Sequence, residues 1–441
     1  VDRAVRGALR VVAPLALGAL VAVLLWLRLR RDVRPTLWAE DGRIFLTRAL
    51  LDGTDAVLQP YQGSLHLAPR FVALAVERLP VEKFALGMNA GACVLAGLAA
   101  AVVLAASSTL VESRPLRLGL ALLPVLLPVL GVEVLASAAN LHWLALWAAA
   151  WVLLHRPSGP VAAVGWAVVA LLCALTEILV VLLAPLVVLV VLRAERGRAP
   201  GHALWPAAAL LVGAAVQLGV TLAQPRSRLD VPRPSTVEVA ELFGLQVLLP
   251  LWTFDPDRLV GLAERAPLSL VLAGLPVLGC LALLALPGPA ARERRAPALL
   301  LVAVGVAVFW LATLWNWTPD KEDPREVVEQ VAFHTRYAVP AGLLVLSGAV
   351  LGLDAGLAPR EGPPRRWPRV VATGLAGVLA AGMLLALPSV PTRRLAEPDW
   401  LDLVAAGREQ CERPRQRTVQ LWPLSPGGTW SVRVPCARLR G

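Results

Sequence analysis

Apolar positions in this chain fall into long blocks separated by short polar breaks. The blocks lie at about 9–27, 84–106, 117–135, 140–155, 160–176, 178–193, 203–223, 267–287, 297–315, 337–353 and 370–388. A run near 20 apolar residues matches a hydrocarbon core about 30 Å thick at 1.5 Å rise per helical residue. The pattern predicts an all-α integral membrane protein with about eleven transmembrane helices. Several blocks are short, and those flanking Thr176 and Glu177 also read as one broken hairpin. The first block follows Arg3, Arg6 and Arg10 and ends on Arg28, Arg30 and Arg31 rather than on a small-residue cleavage site, so it is expected to remain as a span.

The polar breaks alternate in kind. With a cytoplasmic N-terminus, one face receives Arg114 and Arg117, Arg156, the cluster Arg193, Arg196 and Arg198, then Arg292, Arg294 and Arg295, and finally Arg360, Arg365, Arg366 and Arg369. That is the charge bias of a cytoplasmic face. Arg28, Arg30, Arg31 and Arg34 fall on the other side as an exception. The outer face holds the long segments 28–83, 224–266, 316–336 and the residues after 388. Function is expected there, because elaborated loops on one face carry it. Within the first outer loop, Gly42–Leu51 and Leu65–Leu79 have helical spacing and are expected to lie at the interface. In the tail, alternating segments Thr418–Trp422 and Trp430–Val434 flank Pro426-Gly427-Gly428, which predicts a small β-hairpin. Cys411 and Cys436 bracket it, and an oxidising outer compartment favours their pairing. The organisation expected is therefore a transmembrane unit over 1–388 and a short extracytoplasmic tail over 389–441.

Composition agrees: 57% of residues are apolar and 17% charged, against about a quarter charged in soluble proteins. The net charge of +11 sits in short arginine clusters between apolar blocks, with no basic face interleaved with aromatics, so nucleic acid is not expected as a partner. Membrane lipid is. Cys93, Cys173 and Cys280 lie within apolar blocks and read as small hydrophobes. No metal-ligand spacing, phosphate-cradling glycine loop or nucleophile elbow occurs, so neither ATP coupling nor a required cofactor is expected.

The candidate chemistry clusters on the outer face. Leu37-Trp38-Ala39-Glu40-Asp41-Gly42 follows the first span. Its adjacent carboxylates can take a proton from a hydroxyl, bind a divalent cation, or simply cap a helix. Tyr61, His66 and Arg70 are polar groups in an otherwise apolar segment, and His66 and Arg70 share a helix face if the segment is helical through both. Arginine suits a phosphate, though snorkelling to lipid headgroups is the plain alternative. Asn140 and His142 open a span at its outer end, where polar groups face a bundle interior. Glu177, at the turn between two apolar segments, serves either a site or a cap. His334, Arg336 and Tyr337 stand where a loop enters a span, as anion ligands or as interfacial anchors.

This layout resembles the GT-C class of polytopic glycosyltransferases. Glu40 and Asp41 stand where that class carries its catalytic acid, and Arg336-Tyr337…Pro340 resembles the Arg-Tyr entry to a late span in its mannosyltransferase-like and aminoarabinose transferase-like branches. The chain also resembles actinobacterial membrane proteins that share a Trp-Ala-Glu-Asp-Gly segment, a Tyr…Gly…Leu-His…Pro-Arg segment and a cysteine-closed tail. The resemblance implies transfer of sugar from a polyprenyl-phosphate donor to a glycan or lipid acceptor of the cell envelope. Asp41 would be the base, with Glu40 orienting it. Arg70, Arg336, His66 and His334 would meet the donor phosphate, and Tyr61, Asn140, His142, Glu177 and Tyr337 would line the substrate site. A transporter or flippase for a lipid-linked or polyanionic glycan is the alternative from another class.

Overall fold

The computed structural model describes residues 2–197, 200–225, 233–253, 258, 261–262, 268–316, 335–359, 366–390, 392–396 and 398–440. Its principal helices are α1 (Asp2–Arg28), α2 (Leu67–Val76), α3 (Phe84–Ser107), α4 (Leu141–Leu154), α5 (Pro160–Thr176), α6 (Ala184–Glu195), α7 (Leu204–Ala223), α8 (Leu268–Ala282), α9 (Pro289–Trp315), α10 (Ala338–Leu357), α11 (Trp367–Ala386) and α12 (Trp400–Cys411). Among the described residues, eight helical segments are long and apolar enough to cross a membrane. α4 and α5 are shorter apolar helices. The chain is an all-α, multi-pass membrane protein and, among the described residues, carries one small antiparallel hairpin, β1 (Thr418–Leu421) and β2 (Val432–Pro435).

Small residues set the helix packing, as expected where lipid offers no hydrophobic drive between helices. α1 crosses α3 at Gly18 and Gly97, where an added Cβ would lie 2.7 Å and 2.2 Å from the opposing carbonyl oxygen. At Gly352 on α10 a Cβ would lie 2.0 Å from the carbonyl oxygen of Cys280 on α8. α10 is buried along nearly its whole length and forms the axis of the bundle. Its Ser347 hydroxyl accepts the indole N–H groups of Trp147 at 3.0 Å and Trp151 at 3.1 Å from α4.

The expected span over 117–135 is broken into the short helices Arg114–Ala121, Leu123–Leu126 and Leu130–Glu133. Leu127 precedes Pro128 and is extended, because proline disfavours helical backbone at the residue before it. The break frees carbonyls, and a carbonyl left unpaired in an apolar setting costs several kcal/mol. Arg28 takes them: its guanidinium donates to the oxygens of Val125, Leu127 and Pro128 at 2.9, 3.1 and 2.9 Å. Gly131 makes room, since a Cβ there would sit 2.7 Å from Nη2 of Arg28. Arg28 is thus a carbonyl ligand, which accounts for one member of the basic group that broke the charge bias. Arg34 lies over the Trp26 ring, and Arg30 pairs with Asp32.

The bundle has two chemically different ends. At one, Arg294, 1% exposed, donates to Glu112 at 2.8 Å and meets Asp354 at 2.7 Å, while Asp354 accepts the backbone N–H groups of Glu112 and Ser113. Arg156 pairs with Glu293 nearby. The other end carries the first long loop and the tail, which are interleaved. Ser425 donates its N–H to Leu37 and accepts from Ala39, Trp400 donates its indole N–H to the Val81 carbonyl, and the backbone N–H of Arg433 reaches the Thr47 hydroxyl. A Cys411–Cys436 disulfide joins α12 to the end of the hairpin, as expected from the sequence. The first loop is helical over Asp41–Leu58 and in α2, close to the expected positions.

Candidate functional site

Residues 61–66 place two of the expected site residues by turn geometry. Tyr61 and Ser64 exchange backbone hydrogen bonds across Gln62 and Gly63, both at positive φ, a turn that matches strand twist. Gln217 of α7, fully buried, holds this turn through the Leu65 N–H at 3.1 Å. His66 follows in the left-handed conformation at φ 52°, a strained position for a residue with a Cβ, costing about 1–3 kcal/mol. It therefore lies just outside α2, so it does not share a helix face with Arg70 as the spacing predicted.

A continuous set of rings runs from this turn across the loop end. Tyr61, Phe45 and His66 meet with centroids 5.9–6.1 Å apart. His66 meets His142 edge-on at 5.4 Å, His142 lies against Trp143 at 3.9 Å, and Trp143 meets Tyr337 at 5.9 Å. At the far end the Tyr337 hydroxyl accepts from Arg336 at 3.0 Å, and Arg336 Nη1 stands 3.7 Å from Glu40 Oε1. Burial acts against the Arg336 charge, but Tyr337, Glu133 and Glu40 outweigh it and hold its pKa above the ordinary value. Tyr61, His66, His142, Tyr337, Arg336 and Glu40 are all partly exposed, so this row of groups reaches the surface.

Glu177 joins the row from below. One carboxylate oxygen pairs with Nδ1 of His142, and the other accepts the Leu179 N–H at 2.7 Å as a helix cap. The cap weighed for Glu177 is present, together with a pairing to His142.

Three expected site residues are placed otherwise. Asp41 is fully buried, and its two oxygens accept the backbone N–H groups of Ala138 at 3.0 Å and Ala139 at 2.6 Å. Burial pushes its pKa up to about 7, opposed by the neighbouring Arg394 and these two donors. A carboxylate so enclosed braces the 134–140 segment, and Glu40 is the accessible acid of the pair. Arg70 is 1% exposed and donates to the carbonyls of Leu65 at 2.8 Å and Ala56 at 2.6 Å, with its guanidinium over Phe45. It ties the first loop to itself instead of facing a phosphate, and burial followed by Arg48 lowers its pKa to about 10. Asn140 is 5% exposed and turned inward to the Ser137 hydroxyl. His334 lies outside the described residues.

Four residues at this end, Arg394, Arg393, Glu133 and Trp143, were not among the expected ones. Arg394 of the tail donates to Asn89 at 2.7 Å and to the Ala136 carbonyl at 2.6 Å, beside Asp41 and over Trp38. Arg393 pairs with Glu133, which is 2% exposed. Glu133 was findable, as a lone acid inside an apolar block is expensive and marks a partner. Trp143 carries no such signal. Among the described residues no three His, Cys, Asp or Glu side chains converge as a metal site.

Comparison with protein-family models, with curated proteins and with solved structures found no match.

Proposed function

We propose that this protein is a membrane glycosyltransferase that moves a sugar from a polyprenyl-phosphate donor to a cell-envelope acceptor, at the end of the bundle carrying the first loop and the tail. The observation that carries the reading is Arg336, a partly exposed guanidinium aimed by Tyr337 and Glu40 beside a row of aromatic and imidazole rings. Departure of a lipid phosphate builds negative charge on its oxygens. A fixed cation facing that charge lowers the barrier by several kcal/mol. Glu40 neutralises the resting guanidinium without enclosing it.

Orientation follows from the two ends. The arginine-rich turns gather opposite the site, which favours the site facing outward. Parity supports about eleven crossings. The first loop and the tail share one end, so the chain between them crosses an even number of times. The eight long segments leave an odd number after α1. α4, α5 and the broken 114–133 segment each run between the two ends: Ala139 and Thr176 bond to the first loop, whereas His155, Pro157 and Ser113 bond at the opposite end. Counting these three restores an even number.

The test uses the purified full-length protein in nanodiscs with a panel of radiolabelled polyprenyl-phosphate sugars and membrane glycan or lipid acceptors. Label is expected in the acceptor, and Arg336→Met is expected to abolish its transfer. Donor binding with no transfer of label would turn the reading to a transporter, and neither binding nor transfer would end it.

A further inference from the structure

Resting on the glycosyltransferase reading, we infer that His142, held by Glu177, is the general base that takes the proton from the acceptor hydroxyl. Glu177 is 3% exposed and its two oxygens are committed to Nδ1 of His142 and to the Leu179 N–H. A carboxylate fixed in this way holds the imidazole in one tautomer, with the proton on Nδ1 and the lone pair on Nε2. This is the logic by which a buried acid orients a catalytic histidine. Nε2 makes no hydrogen bond among the described residues, and the side chain is 14% exposed. Three other carboxylates around the row are engaged: Asp41 by two amides, Glu133 by Arg393, and Glu40 at 3.7 Å from Arg336.

His142 also stands at the right place in the row. His142 and Arg336 stand at two points of the same row, with Trp143 and Tyr337 between them, and the inference sets the donor phosphate at Arg336 and the acceptor hydroxyl at His142. In the step, Nε2 removes the hydroxyl proton as the acceptor oxygen forms its bond to the anomeric carbon. The bond from that carbon to the phosphate oxygen breaks, and its electron pair leaves on the phosphate facing Arg336. The imidazolium then returns its proton to water. Among the described residues, the charged and titratable groups around His142 are Glu177 at Nδ1 and His66 at the ring edge, with Tyr337, Arg336 and Glu40 beyond Trp143.

The experiment measures donor binding and sugar transfer separately in the nanodisc protein, across pH, for His142→Gln and Glu177→Gln. His142→Gln is expected to bind polyprenyl-phosphate sugar as the wild type does, and to lose transfer by about 10²–10⁴-fold. The acidic limb of the rate profile is expected to vanish with it. Glu177→Gln is expected to lower kcat with KM little changed, as a positioning residue would. Transfer by His142→Gln at the wild-type rate overturns the inference and leaves the glycosyltransferase reading standing. Binding without transfer by the wild type overturns both. A second measurement needs no turnover: diethyl pyrocarbonate should acylate His142 in the native protein, and bound donor should shield it. A His142 that is labelled only after unfolding overturns the inference.

Discussion

Arg394→Met isolates the cation that ties the tail to the first loop. The guanidinium is 4% exposed and donates two short hydrogen bonds, to Asn89 and to the Ala136 carbonyl, beside the buried Asp41. Charged hydrogen bonds contribute about 1.5–3 kcal/mol each. Removing one member of a buried pair costs about 3–5 kcal/mol, much of it the uncompensated partner. These overlap, so the expected loss is about 4 kcal/mol. Methionine fills most of the volume, which keeps a cavity from dominating.

The loss should depend on pH. Asp41 has its pKa raised from 3.8 to about 7 in the folded protein. Its stabilising contribution is therefore fully present below pH about 4 and declines as pH rises through about 7, where the buried group ionises. Arg394 is what makes that ionised form tolerable. Without it the Asp41 pKa climbs further, and the deficit is larger at pH 8 than at pH 5. Denaturant unfolding in detergent, followed by tryptophan fluorescence, reads both values. Arg394→Met with Asp41→Asn should recover about 1–2 kcal/mol over the additive sum. A single-variant loss below about 1 kcal/mol, or one equal at the two pH values, would refute this account.

Ser347→Ala strands the indole N–H groups of Trp147 and Trp151 in the bundle core and should cost about 1–3 kcal/mol in the same assay, with near-ultraviolet dichroism of the tryptophans reduced. Gly97→Ala places a Cβ 2.2 Å from the Gly18 carbonyl oxygen and must part α1 from α3, at about 1–3 kcal/mol, whereas Gly374→Ala, with nothing within 4 Å, should leave the thermal midpoint unchanged. Cys411→Ser with Cys436→Ser opens a closed loop with a sequence separation of 25 and should destabilise the tail by about 3 kcal/mol, seen as faster proteolysis after residue 411.

Much of the bundle was legible because lipid imposes a single long period on the sequence. The break near Leu127 was written there too, in Pro124 and Pro128, but the carbonyl ligand that makes it tolerable lies about a hundred residues earlier, in Arg28. The site divides in the same way. Arg336-Tyr337 and Glu40 were recognisable as short motifs. Asp41 was expected to be the base and Glu40 to orient it, but neighbouring residues on a helical turn point in different directions, and only the fold says that Asp41 is the one that meets Ala138 and Ala139. The His142–Glu177 pair joins two helix ends 35 residues apart, and no local spacing announces it. Arg394 sits in an irregular segment without periodicity, so its partner is set by tertiary docking alone.

The interleaving of tail and first loop sets an order on the making of this protein. Thr47 leaves the ribosome 386 residues before the amide of Arg433 that binds it. At about 5–20 residues per second, that is a wait of tens of seconds. Throughout it Asp41, Asn89 and Glu133 stand without their arginines, in a half-inserted chain with open polar contacts. Docking of the tail is the step that ends that interval, because it brings Arg393 and Arg394 to these groups.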